Sequence, residues 1–162
     1  MPSEPQLPAE PLCLVFGDED FLVRDRAKQI YEGWCEAAGG MDHEVVDGTV
    51  RNADEALQAL AKLNEALQTL PFFGGNKVLW LRGANFLGDD RTASSAAVTD
   101  RLTELAKSWE SFDWQGVQLL ISAGKVDKRK SFLKTVKKFA ALEDKTVSEK
   151  ERGGRAAMVV RQ

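Results

Sequence analysis

The chain has 162 residues, 43% of them hydrophobic and 29% charged, with a net charge of −3 and a single histidine. This is enough to bury one core without covalent staples, and the charge has the wrong sign for a general binder of nucleic acid or anionic membrane. No run of about 20 apolar residues is present to span a bilayer, and Cys13 and Cys35 lack metal-ligand spacing, so they read as reduced, buried thiols of a cytoplasmic protein.

Met1 to Pro11 holds four prolines and three Glu or Gln residues ahead of any apolar run. It lacks the basic and apolar regions of a signal peptide, so residues 1–10 read as a disordered leader. Leu12 to Phe16 is a continuous apolar run closed by Gly17, as a strand buried on both faces requires. Val23, Ala27, Ile30, Trp34 and Ala38 then recur at spacings of four and three, one stripe of a helix that Gly39-Gly40 ends. His43 to Asp47 reads as a short second strand.

Asn52 with Glu55 three residues on resembles a capping box, with Asn in place of Ser or Thr. Leu57, Leu60, Leu63, Leu67 and Leu70 follow at helical spacing, and Pro71 stops the helix. Lys77 to Leu81 predicts the third strand. Val98, Leu102, Leu105, Trp109 and Phe112 predict a third helix, and Val117 to Ile121 a fourth strand. Phe132, Val136, Phe139 and Ala140 mark a fourth helix, and a fifth strand is expected around Ala141 to Asp144. Strands separated by helices need crossover connections. The expected fold is therefore α/β, a mostly parallel five-stranded sheet with helices on both faces.

In such sheets chemistry sits at the carboxyl ends of the strands. The first such loop is Gly17-Asp18-Glu19-Asp20. A phosphate loop needs Gly, then Lys, then Ser or Thr, but counting from Gly17 those slots hold Leu22, Val23 and Arg24. The three carboxylates suggest a Mg²⁺-dependent phospho-acceptor, which would also need an Asp at the end of the third strand. That strand ends Leu81-Arg82-Gly83, and acids complementing the dipole at a helix start are the simpler reading. His43 has no second His or Cys beside it for a zinc site or a dyad. Gly74-Gly75-Asn76-Lys77 leads into a strand and reads as a turn, since a P-loop leads into a helix. No catalytic residue, metal site or cofactor is expected, nor ATP binding.

Three stretches together carry a resemblance. Leu14 to Arg24, then Leu67 to Gly74 with the strand Lys77 to Arg82, then Leu119 to Ser122 with Lys125 to Lys130, are similar in collinear order to the delta subunit of bacterial DNA polymerase III. The resemblance covers about Leu12 to Leu142. It implies an AAA+/P-loop-like fold with a degenerate nucleotide site, in agreement with the missing phosphate residues. It further implies a non-catalytic clamp-loader subunit that binds the beta sliding clamp and helps open it for loading onto primed DNA. Its partners would be the gamma/tau and delta prime subunits, with DNA passing through the assembled loader. ATP would be handled by other subunits of a holoenzyme that is itself a nucleotidyltransferase. The domains would be a leader over 1–10, the clamp-binding domain over 11–146, and over 147–162 a helical lead-in to a lid domain.

Gln68, Leu70, Phe72 and Phe73 fit the clamp-binding pattern of that family. Gln68 can hydrogen-bond at a pocket rim while the three apolar side chains fill the pocket. Pro71 fixes its own φ and lowers the ordering cost of docking. Taken alone, two phenylalanines ahead of a strand read as core; with the Gln and the collinear resemblance they read as anchors. A second candidate is the stretch 125–138, with seven Lys or Arg against one acid, a net of +6 that leaves −9 for the rest of the chain. A solvated face is the plainer reading of Lys125, Lys128, Arg129 and Lys130, and a contact to DNA or a neighbouring subunit the sharper one. The rival functions are a receiver-like or nucleotide-hydrolysing enzyme domain and a scaffold that binds no clamp.

Overall fold

The computed structural model describes residues 6–40, 42–69 and 76–146. In chain order the elements are β1 (Leu12–Phe16), α1 (Asp20–Ala38), β2 (Glu44–Asp47), α2 (Ala53–Gln68), β3 (Lys77–Ala84), α3 (Ala96–Glu110), β4 (Val117–Ala123), α4 (Ser131–Val136) and β5 (Ala141–Asp144). The five strands form one sheet in the order β2-β3-β4-β1-β5, and every pairing is parallel.

The alternation of side chains along the strands divides the core into two layers. Leu12, Leu14, Phe16, Leu79, Leu81, Leu119 and Ile121 face the layer built with α2, α3 and α4. Cys13, Val15, Val78 and Leu120 point the other way, against Val23, Ala27, Ile30 and Trp34 of α1. Because β1 and β4 are central and covered on both faces, their sequences are apolar at successive positions rather than alternating.

The helix signals act as the sequence predicts, with one variation. Asn52 caps α2 by accepting a hydrogen bond from the Glu55 amide at 2.9 Å. The reciprocal bond goes one residue further back than in a standard capping box, from the Arg51 amide to the Glu55 carboxylate at 2.9 Å. Gly39, with φ of +68°, ends α1.

Several boundaries differ from those expected; α2 ends at Gln68 and α3 at Glu110, short of Leu70 and Phe112. β3 runs on to Ala84 because Gly83, at φ +67°, absorbs a shift of register between Leu81 and Ala84 instead of ending the strand. β4 runs on to Ala123 because the polar Ser122 is buried and satisfied: its Oγ accepts from Trp80 Nε1 at 2.9 Å and from the Gly83 amide at 3.0 Å. α4 is shorter than its apolar spacing suggests. It ends at Val136, and Phe139 and Ala140 are carried into the core by tight turns back to Val136 O. His43 lies just ahead of β2, where its Nδ1 accepts from the Val78 amide at 3.1 Å and its Nε2 donates to Gly39 O at 2.7 Å.

Residues 6–10, read from composition as the end of a leader, lie against α1. Leu7 packs with the α1 layer beside Gly33, and the Gln6 carbonyl accepts from Arg26 at 2.6 Å. The same Arg26 grips Glu143 of β5 with two bonds of 2.8 and 3.0 Å, joining α1 to the edge strand. Residues 1–5 and 147–162 lie outside the described residues. Among the described residues no helix is long and apolar enough to cross a membrane.

Candidate functional site

Three places on this frame carry the candidate residues: the loop after β1, the end of α2, and the turn before α4.

The loop after β1 is closed by the protein's own backbone. The Gly17 amide, at the start of that loop, donates to Gly124 O at 3.0 Å. On its other side the Lys145 amide donates to Phe16 O at 2.6 Å. Gly17 has φ of +142°, and a Cβ there would lie 2.4 Å from the Lys145 carbonyl carbon, so only glycine fits this crossing of chains. Beyond the loop, Val23 is buried in the core, and Arg24 pairs with Asp20 one turn earlier at 3.0 Å. The slots that would hold a phosphate and its metal are thus filled by a core valine and an arginine. Among the described residues no group of three or more His, Cys, Asp or Glu side chains is placed to hold a metal ion.

At the end of α2, Gln68 is the last helical residue and is exposed. Leu70, Phe72 and Phe73 lie outside the described residues, as do Pro71 and Gly74-Gly75. The two ends of this segment, however, are tightly placed. The Thr69 amide and hydroxyl both donate to Glu65 O, at 3.1 and 2.8 Å, closing the helix. Lys77, at the start of β3, is only 7% exposed, and its ammonium donates to Ala66 O at 2.6 Å and Thr69 O at 3.0 Å. A cation placed on the last carbonyls of a helix satisfies orphan acceptors and complements the helix dipole. The Lys77 amide in turn donates to Gly116 O at 2.8 Å, which ties the return of the segment to the entry of β4. In the sequence Lys77 is legible only as the first residue of a strand. The available signal was a lysine opening an otherwise buried apolar run shortly after a helix end.

The basic stretch does not form one helix face. Lys125, Lys128, Arg129 and Lys130 lie in the turn before α4. Lys128 pairs with Asp144 at 2.7 Å and lies 5.7 Å from the centre of the Phe16 ring. Arg129 holds Asp127 through two bonds of 2.9 and 3.0 Å, which with its backbone amide brings the Asp127 carboxyl down to about 2. Lys130 donates to Ala93 O at 2.6 Å. Three of the four cations therefore have partners within the chain, and these contacts tie the turn to β5 and to the loop before α3. Lys125 is exposed.

A five-stranded parallel sheet in this order, with helices on both faces and a first loop whose phosphate slots are lost, defines an AAA+-like α/β domain with a degenerate nucleotide site. Residues 14–146 match the family model described as DNA polymerase III, delta subunit, and the chain belongs to that family. Among solved structures it is similar to the Bacillus subtilis DNA clamp loader delta protein (YqeN), with a TM-score of 0.56 and 20% identity over 85% of this chain. The chain spans about two fifths of that protein's length, 39%. A looser likeness, with a TM-score of 0.48 and 16% identity over 88% of this chain and 30% of the other, is to EssC (ATPases 2 and 3) from Geobacillus thermodenitrificans. No curated protein matches the chain.

Proposed function

We propose that this chain carries the clamp-binding domain of a clamp-loader subunit, over residues 11–146, and that it binds the beta sliding clamp and helps open it for loading onto primed DNA. It is non-catalytic, it acts in the cytoplasm beside gamma/tau and delta prime subunits, and ATP is turned over elsewhere in the assembly.

The observation that carries the reading is the firm placement of the chain on either side of residues 70–75. Thr69 closes α2, Lys77 clasps its last carbonyls, and Gln68 stands exposed at the point of departure. A recognition segment held at both ends loses less entropy on docking than a free one. Family membership and the likeness to the Bacillus subtilis clamp loader delta protein support a clamp as the partner. Gln68 then bonds at the rim of the clamp pocket, and Leu70, Phe72 and Phe73 fill it.

Substituting Phe72→Ala and Phe73→Ala tests this. Truncated binding hot spots commonly cost about 2–4 kcal/mol, which is roughly 25-fold or more in affinity. A core phenylalanine would instead cost about 3–5 kcal/mol of folding stability. At least one of the two variants is expected to melt within a few degrees of the wild type and yet lose the clamp in a pull-down. If both melt far lower, with residual binding following the folded fraction, the pair belongs to the core and the grip lies elsewhere.

A further inference from the structure

Between α1 and the carboxyl ends of β3 and β4 lies a groove of about 550 Å³ that the clamp reading leaves unused. Asp20, Arg24 and Lys28 line one wall, four residues apart and therefore on one face of α1. Trp80 and Arg82, two apart on β3, line the opposite side. Trp80 is held in place by the bond from its Nε1 to Ser122 Oγ at 2.9 Å, and the Arg82 guanidinium lies 5.8 Å from the centre of its ring. The charged side chains of the groove are thus Arg24, Lys28 and Arg82 against Asp20 alone, a local net of +2 on a chain of net −3.

The position of the two arginines gives this charge its meaning. In a phosphate-loop domain Mg²⁺ is held by the Ser or Thr that follows the loop lysine and by an Asp at a neighbouring strand end. Counted from Gly17, Arg24 takes the first of these slots, and Arg82 stands at the end region of β3 where a carboxylate would be needed. The hydroxyl and carboxylate that would bind a cation are replaced by two guanidiniums on the same groove. A divalent metal is repelled from such a site, while the guanidiniums supply the positive charge that the metal would have brought. Guanidinium is also the side-chain cation best matched to the two-oxygen edge of a phosphate.

We propose that this groove binds phosphate groups without a metal, through Arg24, Lys28 and Arg82. The phosphates could come from a free polyphosphate chain or from the backbone of single-stranded DNA, and both sources present the same chemistry to the three cations. The inference stands independently of the clamp reading, because none of these residues belongs to the segment 68–77.

The test is a titration of the whole chain in EDTA with sodium tripolyphosphate, followed by calorimetry, and with a fluorescein-labelled thymidine oligonucleotide, followed by anisotropy. Saturable binding of at least one ligand is expected. It should weaken at least tenfold in Arg82→Gln and in Arg24→Gln, and stay unchanged in Lys137→Gln. Tripolyphosphate that binds and displaces the oligonucleotide marks a compact site for free phosphate chains. Oligonucleotide binding that tripolyphosphate does not displace, yet that Arg82→Gln abolishes, marks the DNA backbone as the source. The proposal is overturned if neither ligand binds, if Mg²⁺ is required, or if the two Arg→Gln variants bind as the wild type does. Displacement by polyglutamate as effective as by tripolyphosphate would also overturn it, as the groove would then be selecting charge and not phosphate. Melting curves of the variants, expected within a few degrees of wild type because both arginines are exposed, show that lost binding is not lost fold.

Discussion

Lys77 is the residue that most directly connects the core to the candidate clamp segment. Its ammonium bonds two carbonyls at the end of α2 while its backbone begins β3. Lys77→Met keeps the length of the side chain and removes the donors, leaving Ala66 O short of a partner in a buried place. An unsatisfied buried group costs about 1–3 kcal/mol, so a melting temperature lower by several degrees is expected. Clamp affinity should fall further than the unfolded fraction explains, because the start of the segment is released from its brace. Equal losses in affinity and folded fraction would show that Lys77 serves stability only. Cys13 makes a second prediction at this scale. Burial, reinforced by the Glu143 charge, pushes its thiol from an ordinary value of 9.0 up to about 12. The thiol thus stays neutral in the folded state at a pH where the unfolded chain already loses the proton. Folding stability contributed this way is complete below pH 9 and declines as pH rises toward 12. Burial raises Tyr31 to about 12 in the same sense. Urea melts at pH 7.5, 9 and 10.5 check this, and a Cys13→Ala variant is expected to show the shallower decline.

At the scale of elements, the turn before α4 illustrates how a charge pattern can be absorbed by the fold. Lys128, Arg129 and Lys130 look in sequence like a patch awaiting a polyanion, yet each contacts its own chain: Asp144, Asp127 and the Ala93 carbonyl. Reversing all three charges should leave clamp binding unchanged, because this turn and the end of α2 have no residue in common. The Lys128–Asp144 pair is largely exposed, and such pairs contribute about 0–1 kcal/mol, so the fold should survive. If these cations also meet DNA in the assembled loader, the same variant will weaken its DNA association and flatten the salt dependence. Collapse of clamp binding in a folded variant would move the clamp surface to this turn. The Arg26–Glu143 pair is of another kind. With side chains 19% and 22% exposed, it is partly shielded and doubly hydrogen-bonded, and it fixes α1 against β5 while Arg26 also donates to the Gln6 carbonyl.

For the molecule as a whole, the decay of the nucleotide site is a matter of backbone as well as side chains. The Gly17 amide is committed to Gly124 O, and β5 with Lys145 closes over the loop so tightly that a Cβ at Gly17 would collide with it. The slots in which a phosphate and its metal would sit hold Leu22, Val23 and Arg24, and Val23 is buried in the core. MgATP is therefore expected neither to bind saturably in calorimetry nor to be hydrolysed. ATP binding that requires Mg²⁺, or hydrolysis of ATP by the chain, would overturn this and restore the enzyme reading.

Periodicity along the chain was sufficient to locate the nine elements of the described residues, because burial on one or two faces leaves a local record. Leu12 to Phe16 is apolar at every position since both its faces are covered, and Val23, Ala27, Ile30 and Trp34 mark the single face that α1 buries. The missing phosphate residues were equally legible, since a loop motif is a statement about neighbours in sequence. What local pattern could not carry was pairing over distance. The neighbours of β1 are β4 and β5, more than a hundred residues away in sequence, and no periodicity in Leu12 to Phe16 names them. The extension of β3 through Gly83 depends on Ala84 finding Ala123, the clasp of Lys77 on finding Ala66 O and Thr69 O, and the sharing of one groove by Arg24 and Arg82 on α1 lying across β3 and β4. Each of these contacts is made by groups whose sequence spacing is set by the fold, and only the tertiary structure decides it.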